Sequence, residues 1–105
     1  MPKYLLVYHG GSMPESEEEG QKIMQAWMAW FGEIGASVVD GGNPVGMSKT
    51  VMSDKSVADN GGANPVSGYS VLSADSLDGA LMLAKGCPHL IDGGTIEVAE
   101  IIEMG

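Results

Sequence analysis

The stretch KYLLVYHGG, residues 3–11, decides how the rest of the chain is read. Five consecutive aliphatic or aromatic residues, Tyr4 to Tyr8, give way at His9 to two glycines, and a run that short bounded by turn residues is a buried strand. The next segment, SEEEGQKIMQAWMAWFGEIGA, changes period. Ile23, Trp27, Trp30, Phe31 and Ile34 recur every three or four positions, which makes an amphipathic helix with one apolar stripe. Ser16 and Glu19 form a capping box, Glu17 and Glu18 lie at the positive end of the helix dipole, and Gly35 is placed to end the helix.

Further elements follow in both directions of this logic. ASVVD is a second strand leading into GGNP, and SKTVMSDKSVAD is a polar β-hairpin turning at Ser53-Asp54-Lys55, an exposed flap beyond the main sheet. GYSVLS is a third main strand. ADSLDGALMLAKG is a second helix with Asp75 as N-cap, Leu77, Ala80, Leu81 and Ala84 facing inward, and Gly86 and Pro88 as its stop. TIEVAEIIEM supplies the last strand. The order is the ferredoxin-like βαββαβ arrangement with an extra β-hairpin flap, an α+β fold in one domain over residues 1–105. Right-handed crossovers place both helices on one face of the sheet. Tyr4, Leu6, Tyr8, Val71, Ile96 and Val98 cannot all face the helices, because strand neighbours alternate, so an apolar set faces outward and a homodimer is expected to cover it.

Fourteen acids stand against five lysines and no arginine, for a net charge of −9. Such a chain repels phosphate backbones, so no nucleic-acid partner is expected. No apolar run is long enough for a membrane span or a leader, which predicts no membrane partner and a cytoplasmic protein. A single cysteine, Cys87, agrees with a reducing compartment.

Strand directions bring four loops, HGG, DGGNP, NGGANP and CPHLIDGG, to one edge of the sheet. That edge collects His9, Asp40, Asn43, Asn64, Cys87, His89 and Asp92. Loops positioned by a rigid scaffold carry function, and this set is a candidate site. His9, at a strand terminus before two glycines, is the candidate catalytic base. Asp40, Asn43, Asn64, His89 and Asp92 are candidate ligand-binding residues, with ordinary turn chemistry as the competing reading. Glu97 joins them because it places a carboxylate inside an apolar strand, on the face opposite Ile96 and Val98, where it must meet solvent, pair with a group such as Lys3, or line a pocket. Cys87 follows a helix C-terminus, where the dipole does not favour a thiolate, and reads as inert. No HxxxH or CxxC spacing supports a metal, no GK[ST] follows a glycine loop, and no cofactor is expected. Trp27 and Trp30 read as core residues.

KYLLVYHG, AWFGEIGA, VVDGGNP, GYSVLSADSLDGALMLAKGCP and GGTIEVAEIIEM, taken in order, resemble the YCII-related (DGPF-domain) family over nearly the whole chain. The resemblance implies a dimeric α+β barrel of ferredoxin-like subunits with a small pocket in each. Two departures stand out. The DGPF tetrapeptide is absent near ADNGGANPVSGY, and the histidine–aspartate dyad of the dehydrochlorinase-like branch is replaced by Met24 and Trp27 on the first helix and by Cys87 before Pro88. The reading is a homodimer that binds a small organic molecule, as a lyase- or isomerase-type enzyme; the alternative is a non-catalytic ligand-binding or accessory interaction protein.

Overall fold

The structure is a computed structural model that describes residues 1–12 and 14–104. β1 (Lys3–His9) leads into α1 (Glu17–Ile34), then β2 (Val38–Asp40), β3 (Thr50–Val51), β4 (Val57–Ala58), β5 (Val66–Ser73), α2 (Leu77–Ala84) and β6 (Thr95–Glu100). Four strands form an antiparallel sheet in the order β2-β5-β1-β6, and β3 and β4 form a separate two-stranded ribbon. This is the ferredoxin-like α+β topology expected from the sequence.

Capping follows the sequence at α1. Ser16 Oγ accepts from the Glu19 N–H at 3.1 Å, Glu19 Oε2 accepts in return from the Glu15 N–H, and Gly35 ends the helix at φ +52°. At α2 the cap is Ser76 rather than Asp75: Ser76 Oγ accepts from the Gly79 N–H at 3.1 Å. Ala80 and Ala84 are buried, as expected, whereas Leu77 is 46% and Leu81 39% exposed. Leu83 packs against the core instead.

The core lies between the sheet and the helices. Tyr4, Leu6 and Tyr8 of β1 and Leu72 of β5 are buried beneath Trp30, Ala80 and Ala84, and Ile96 and Val98 pack against the same cluster. Trp30 also ties the helices together, its indole N–H donating to the Leu83 carbonyl at 3.1 Å. As expected, the six do not all face the helices, but the division is uneven: Tyr4, Leu6, Tyr8, Ile96 and Val98 belong to the helix side, and of that group only Val71 faces away. The outward set is Leu5, Val7, Tyr69 and Val71, brought together by the cross-strand pairs Leu5 with Val71 and Val7 with Tyr69. Period-2 alternation accounts for this division strand by strand.

Candidate functional site

β1 ends in a bulge. Tyr8 pairs with Gly68 and His9 with Val66, which leaves Ser67 as the extra residue on β5. The DGGNPV segment runs beside that bulge, bridged through Pro44 and Gly68, with the Val45 N–H donating to Ser67 O and the Tyr69 N–H to Asn43 O. Gly42, at φ +74°, lies so close to the Tyr69 carbonyl that no Cβ fits. Glycine is therefore required there for both conformation and space.

Between this glycine-lined floor and α1 opens a groove with a cavity volume of about 570 Å³. Its walls are aromatic and apolar, from Tyr8, Ile23, Met24, Trp27, Phe31 and Val45, and its polar groups come from Ser12, Asn43, Ser67, His89 and Asp92. The size and the mixture suit a small organic ligand. Tyr8 and Trp27 meet edge to face with ring centroids 5.2 Å apart, and Trp27 lies 5.8 Å from Phe31. The Ser67 hydroxyl oxygen is buried without a hydrogen-bond partner, an unmet polar capacity at the groove. No lysine lines this groove.

His89 is the groove's imidazole. It is buried in the turn Pro88–Leu90 that follows α2, and its ring lies 5.2 Å from that of Tyr8. Its Nε2 is 2.9 Å from the His9 carbonyl oxygen. A carbonyl only accepts, so Nε2 carries the hydrogen, and in the neutral ring Nδ1 keeps its lone pair. Gly11 and Gly94 frame the ring: a Cβ on Gly94 would meet Nε2, and one on Gly11 would sit 3.0 Å from Cε1 and 3.4 Å from Nδ1. Glycine at 11 thus leaves the Nδ1 edge uncovered on the groove side.

His9 lies elsewhere. Its Nδ1 is 2.9 Å from the Asn64 carbonyl oxygen and 3.3 Å from that of Pro65, and its Nε2 is 3.1 Å from Glu97 Oε1. Every one of these partners accepts, so the ring satisfies them all only as the doubly protonated imidazolium. The carboxylate of Glu97 accordingly raises the His9 pKa above the usual imidazole value, and the two carbonyls add to the rise against the opposing effect of desolvation. Of the three alternatives open to Glu97, it both meets solvent and pairs, with His9 rather than Lys3. The ring that sequence reasoning offered as a base has both nitrogens occupied as donors. Its backbone carbonyl, by contrast, orients His89.

The sequence-derived edge therefore divides. Asn43, His89 and Asp92 line the groove; Glu97, His9 and the Asn64 carbonyl meet outside its lining; Asp40 Oδ1 accepts from the Gly42 N–H at 2.9 Å, ordinary turn chemistry. Cys87 is buried, and desolvation pushes its thiol up to about 11. Trp27 and Phe31 were not singled out as groove residues by the sequence, because a stripe at helical spacing reads as core whether or not its outer rim is open, and Tyr8 reads as core in the same way from the apolar run of β1. The Tyr8 hydroxyl donates to Ser70 Oγ at 2.7 Å, which donates to the Gly41 carbonyl at 2.7 Å, a buried relay that fixes the floor. Burial raises the Tyr8 pKa far above the ordinary phenol value. Among the described residues no cluster of three or more metal-ligating side chains is found, and no helix is long and apolar enough to cross a membrane.

An antiparallel sheet with its helices on one face and a groove at the strand ends defines a small ferredoxin-like α+β protein. Among solved structures, the chain is similar to 5-chloro-2-hydroxyhydroquinone dehydrochlorinase from Burkholderia phenoliruptrix in complex with 2,5-dihydroxybenzoquinone, with a TM-score of 0.54 at 18% identity over 96% of this chain and 95% of that one. At that identity the likeness is one of fold. No family model and no curated protein matches the sequence.

Proposed function

We propose that this chain is a cytoplasmic, single-domain homodimer related to the YCII family, whose groove binds a small, flat organic ring bearing hydroxyl or carbonyl oxygens. The observation that carries the reading is the pairing of an aromatic wall, Tyr8, Trp27 and Phe31, with one imidazole, His89, whose Nδ1 edge is left uncovered by Gly11. Aromatic side chains favour planar ligands by stacking or edge contacts. The groove's Asp92 and the net charge of −9 disfavour a carboxylate or phosphate. The complex of the structurally similar dehydrochlorinase with a hydroxylated quinone supports the same ligand class.

In the enzymatic form of this reading, of lyase or isomerase type, His89 Nδ1 takes an acidic proton from a ring hydroxyl or from a carbon beside a carbonyl, and the His9 carbonyl stabilises the imidazolium through Nε2–H. His9 serves as a positioning residue through its backbone.

Titration with 2,5-dihydroxybenzoquinone and with unsubstituted hydroquinone, followed by tryptophan fluorescence and His89 ring resonances, tests the proposal. Saturable quenching with movement of His89 is expected, and Trp27→Ala should weaken it at least about tenfold, the scale of one lost aromatic contact. Flat titrations to millimolar concentration with both compounds would remove this ligand class. Turnover is assayed with 5-chloro-2-hydroxyhydroquinone, which carries a leaving group: chloride release abolished by His89→Gln with binding retained selects the lyase, and binding with no release by the wild type selects the binding protein.

A further inference from the structure

The groove is larger than one ring requires. A cavity of about 150 Å³ is enough to hold benzene, whereas this one has a volume of about 570 Å³. Its length comes from the fold. Along α1 the lining runs from Gly20 through Ile23, Met24 and Trp27 to Phe31, three turns or about 16 Å of helix. Across the sheet the floor reaches from Gly10 and Gly11, which follow β1, to the Gly41–Val45 segment, which follows β2 at the far edge. With β5 between β1 and β2, that is two strand spacings, about 10 Å.

A row of rings lies along this length. The His89 ring is 5.2 Å from Tyr8, Tyr8 is 5.2 Å from Trp27, and Trp27 is 5.8 Å from Phe31, centroid to centroid. The row starts at the imidazole and ends over Gly41, where a Cβ would lie 3.7 Å from Phe31 Cζ. The two ends differ in chemistry. His89 and Asp92 belong to one short segment after α2, and among the described residues no other carboxylate, imidazole or ammonium lines the groove. The far end is built from Phe31, Pro44 and Val45, with Asn43 and Ser67 as neutral polar groups. Val45 is 39% and Met24 65% exposed, apolar surface that a single ring held at His89 leaves in water. Covering it is the largest source of affinity that one ring does not use.

We propose that the groove takes a two-ring aromatic compound, with a hydroxyl- or carbonyl-bearing ring at His89 and an uncharged second ring over Gly41, against Phe31 and Val45. The inference rests on the ring-binding reading above and specifies the size and orientation of the ligand. A ring hydroxyl donates to His89 Nδ1, the nitrogen whose lone pair is free because Nε2–H is committed to the His9 carbonyl. In the reversed orientation that hydroxyl would face Phe31 and Val45 and lose its imidazole acceptor.

Calorimetric titration tests it by comparing hydroquinone with two compounds that carry the same dihydroxylated ring and one ring more, 1,4-dihydroxynaphthalene and phenylhydroquinone, all kept reduced with ascorbate. At least one of the two is expected to bind at least about tenfold more tightly than hydroquinone, a gain that burial of two further apolar carbons supplies. Val45→Asp, at a half-exposed position, and Phe31→Leu should each lower two-ring affinity at least about fivefold more than hydroquinone affinity. In NMR spectra hydroquinone and the two-ring compounds should all move the His89 ring signals, and the Val45 amide should respond to the two-ring compounds alone. Hydroquinone binding as tightly as both larger compounds overturns the inference and leaves the single-ring reading standing, as do equal losses for all three compounds in Val45→Asp. Flat titrations with all three and with 2,5-dihydroxybenzoquinone overturn both.

Discussion

Tyr8 and His9 are neighbours on β1, and they belong to opposite sides of the molecule. Tyr8 is buried on the helix side, where its hydroxyl donates to Ser70 and its ring forms part of the groove wall. His9 is on the open side, where it bridges Glu97 and the root of the hairpin. Both pKa values are raised, for opposite reasons. Burial raises Tyr8 by penalising the phenolate, so the group is kept neutral; Glu97 raises His9 by favouring the imidazolium, so the charged form persists to higher pH. One side of the sheet is organised by exclusion of charge and the other by pairing it.

The sharpest way to break this comparison is to truncate adjacent residues on the two sides. Leu6 is fully buried, so Leu6→Ala should cost about 2–5 kcal/mol in urea denaturation, the range for a core leucine left with a cavity. Val7→Ala, one position on and facing the other way, should cost about 1 kcal/mol or less in dilute protein. Its cost should grow with protein concentration if a second copy covers the face, since dissociation then accompanies unfolding. Equal costs at every concentration would mean that the two faces are not differently packed.

Next in size is Gly94→Ala. Its Cβ would occupy the space of His89 Nε2, so the imidazole must leave the His9 carbonyl. Leaving that half-buried carbonyl without its imidazole donor should cost about 1 kcal/mol, and the His89 ring resonances should move while those of His9 stay. Unmoved His89 signals would show that the ring is not held against Gly94. Cys87 offers a kinetic check of the buried side: with its thiol at about 11, iodoacetamide near neutral pH should label it roughly 300-fold more slowly than a free cysteine of ordinary pKa near 8.5. Labelling at the free rate would show that the cluster around Tyr8 opens readily.

Much of the architecture was legible because it rests on local chemistry. KYLLVYH, Ser16 with Glu19, Gly35, and the Ser53-Asp54-Lys55 turn each state their structure within a few residues, and the α2 cap missed by only one position because Asp75 and Ser76 are both good caps. The candidate site was legible only as a list of loops. Strand direction brings those loops to one edge, but whether a side chain then points to the helices or away depends on register, and a single bulge residue, Ser67, resets that register on β5. The sequence also could not show that His9 and Glu97 face each other, since they are 88 positions apart and meet only when β1 and β6 pair.

The smallest effect concerns that pair and carries its own sign. A histidine whose folded pKa lies above its unfolded value contributes stability that is fully present below the unfolded pKa, and that contribution is lost as pH rises through the folded value. For His9 the reference is 6.5, and the folded value is higher because Glu97 accepts from Nε2. The hairpin root should therefore be held most firmly below 6.5 and loosen as pH rises through the raised His9 value. Glu97→Gln keeps the shape and removes the charge, so the His9 titration midpoint, followed by NMR of its Cε1 proton, should fall toward 6.5 while the His89 midpoint stays where it was. Amide protection across residues 60–64, taken relative to intrinsic exchange at each pH, should then no longer follow the His9 titration. The Glu97 side chain is 68% exposed, and water screens such a pair, so global stability should change little. A His9 midpoint that does not respond to Glu97→Gln would assign the shift to the Asn64 and Pro65 carbonyls instead, leaving the hairpin root fastened to β1 without help from β6.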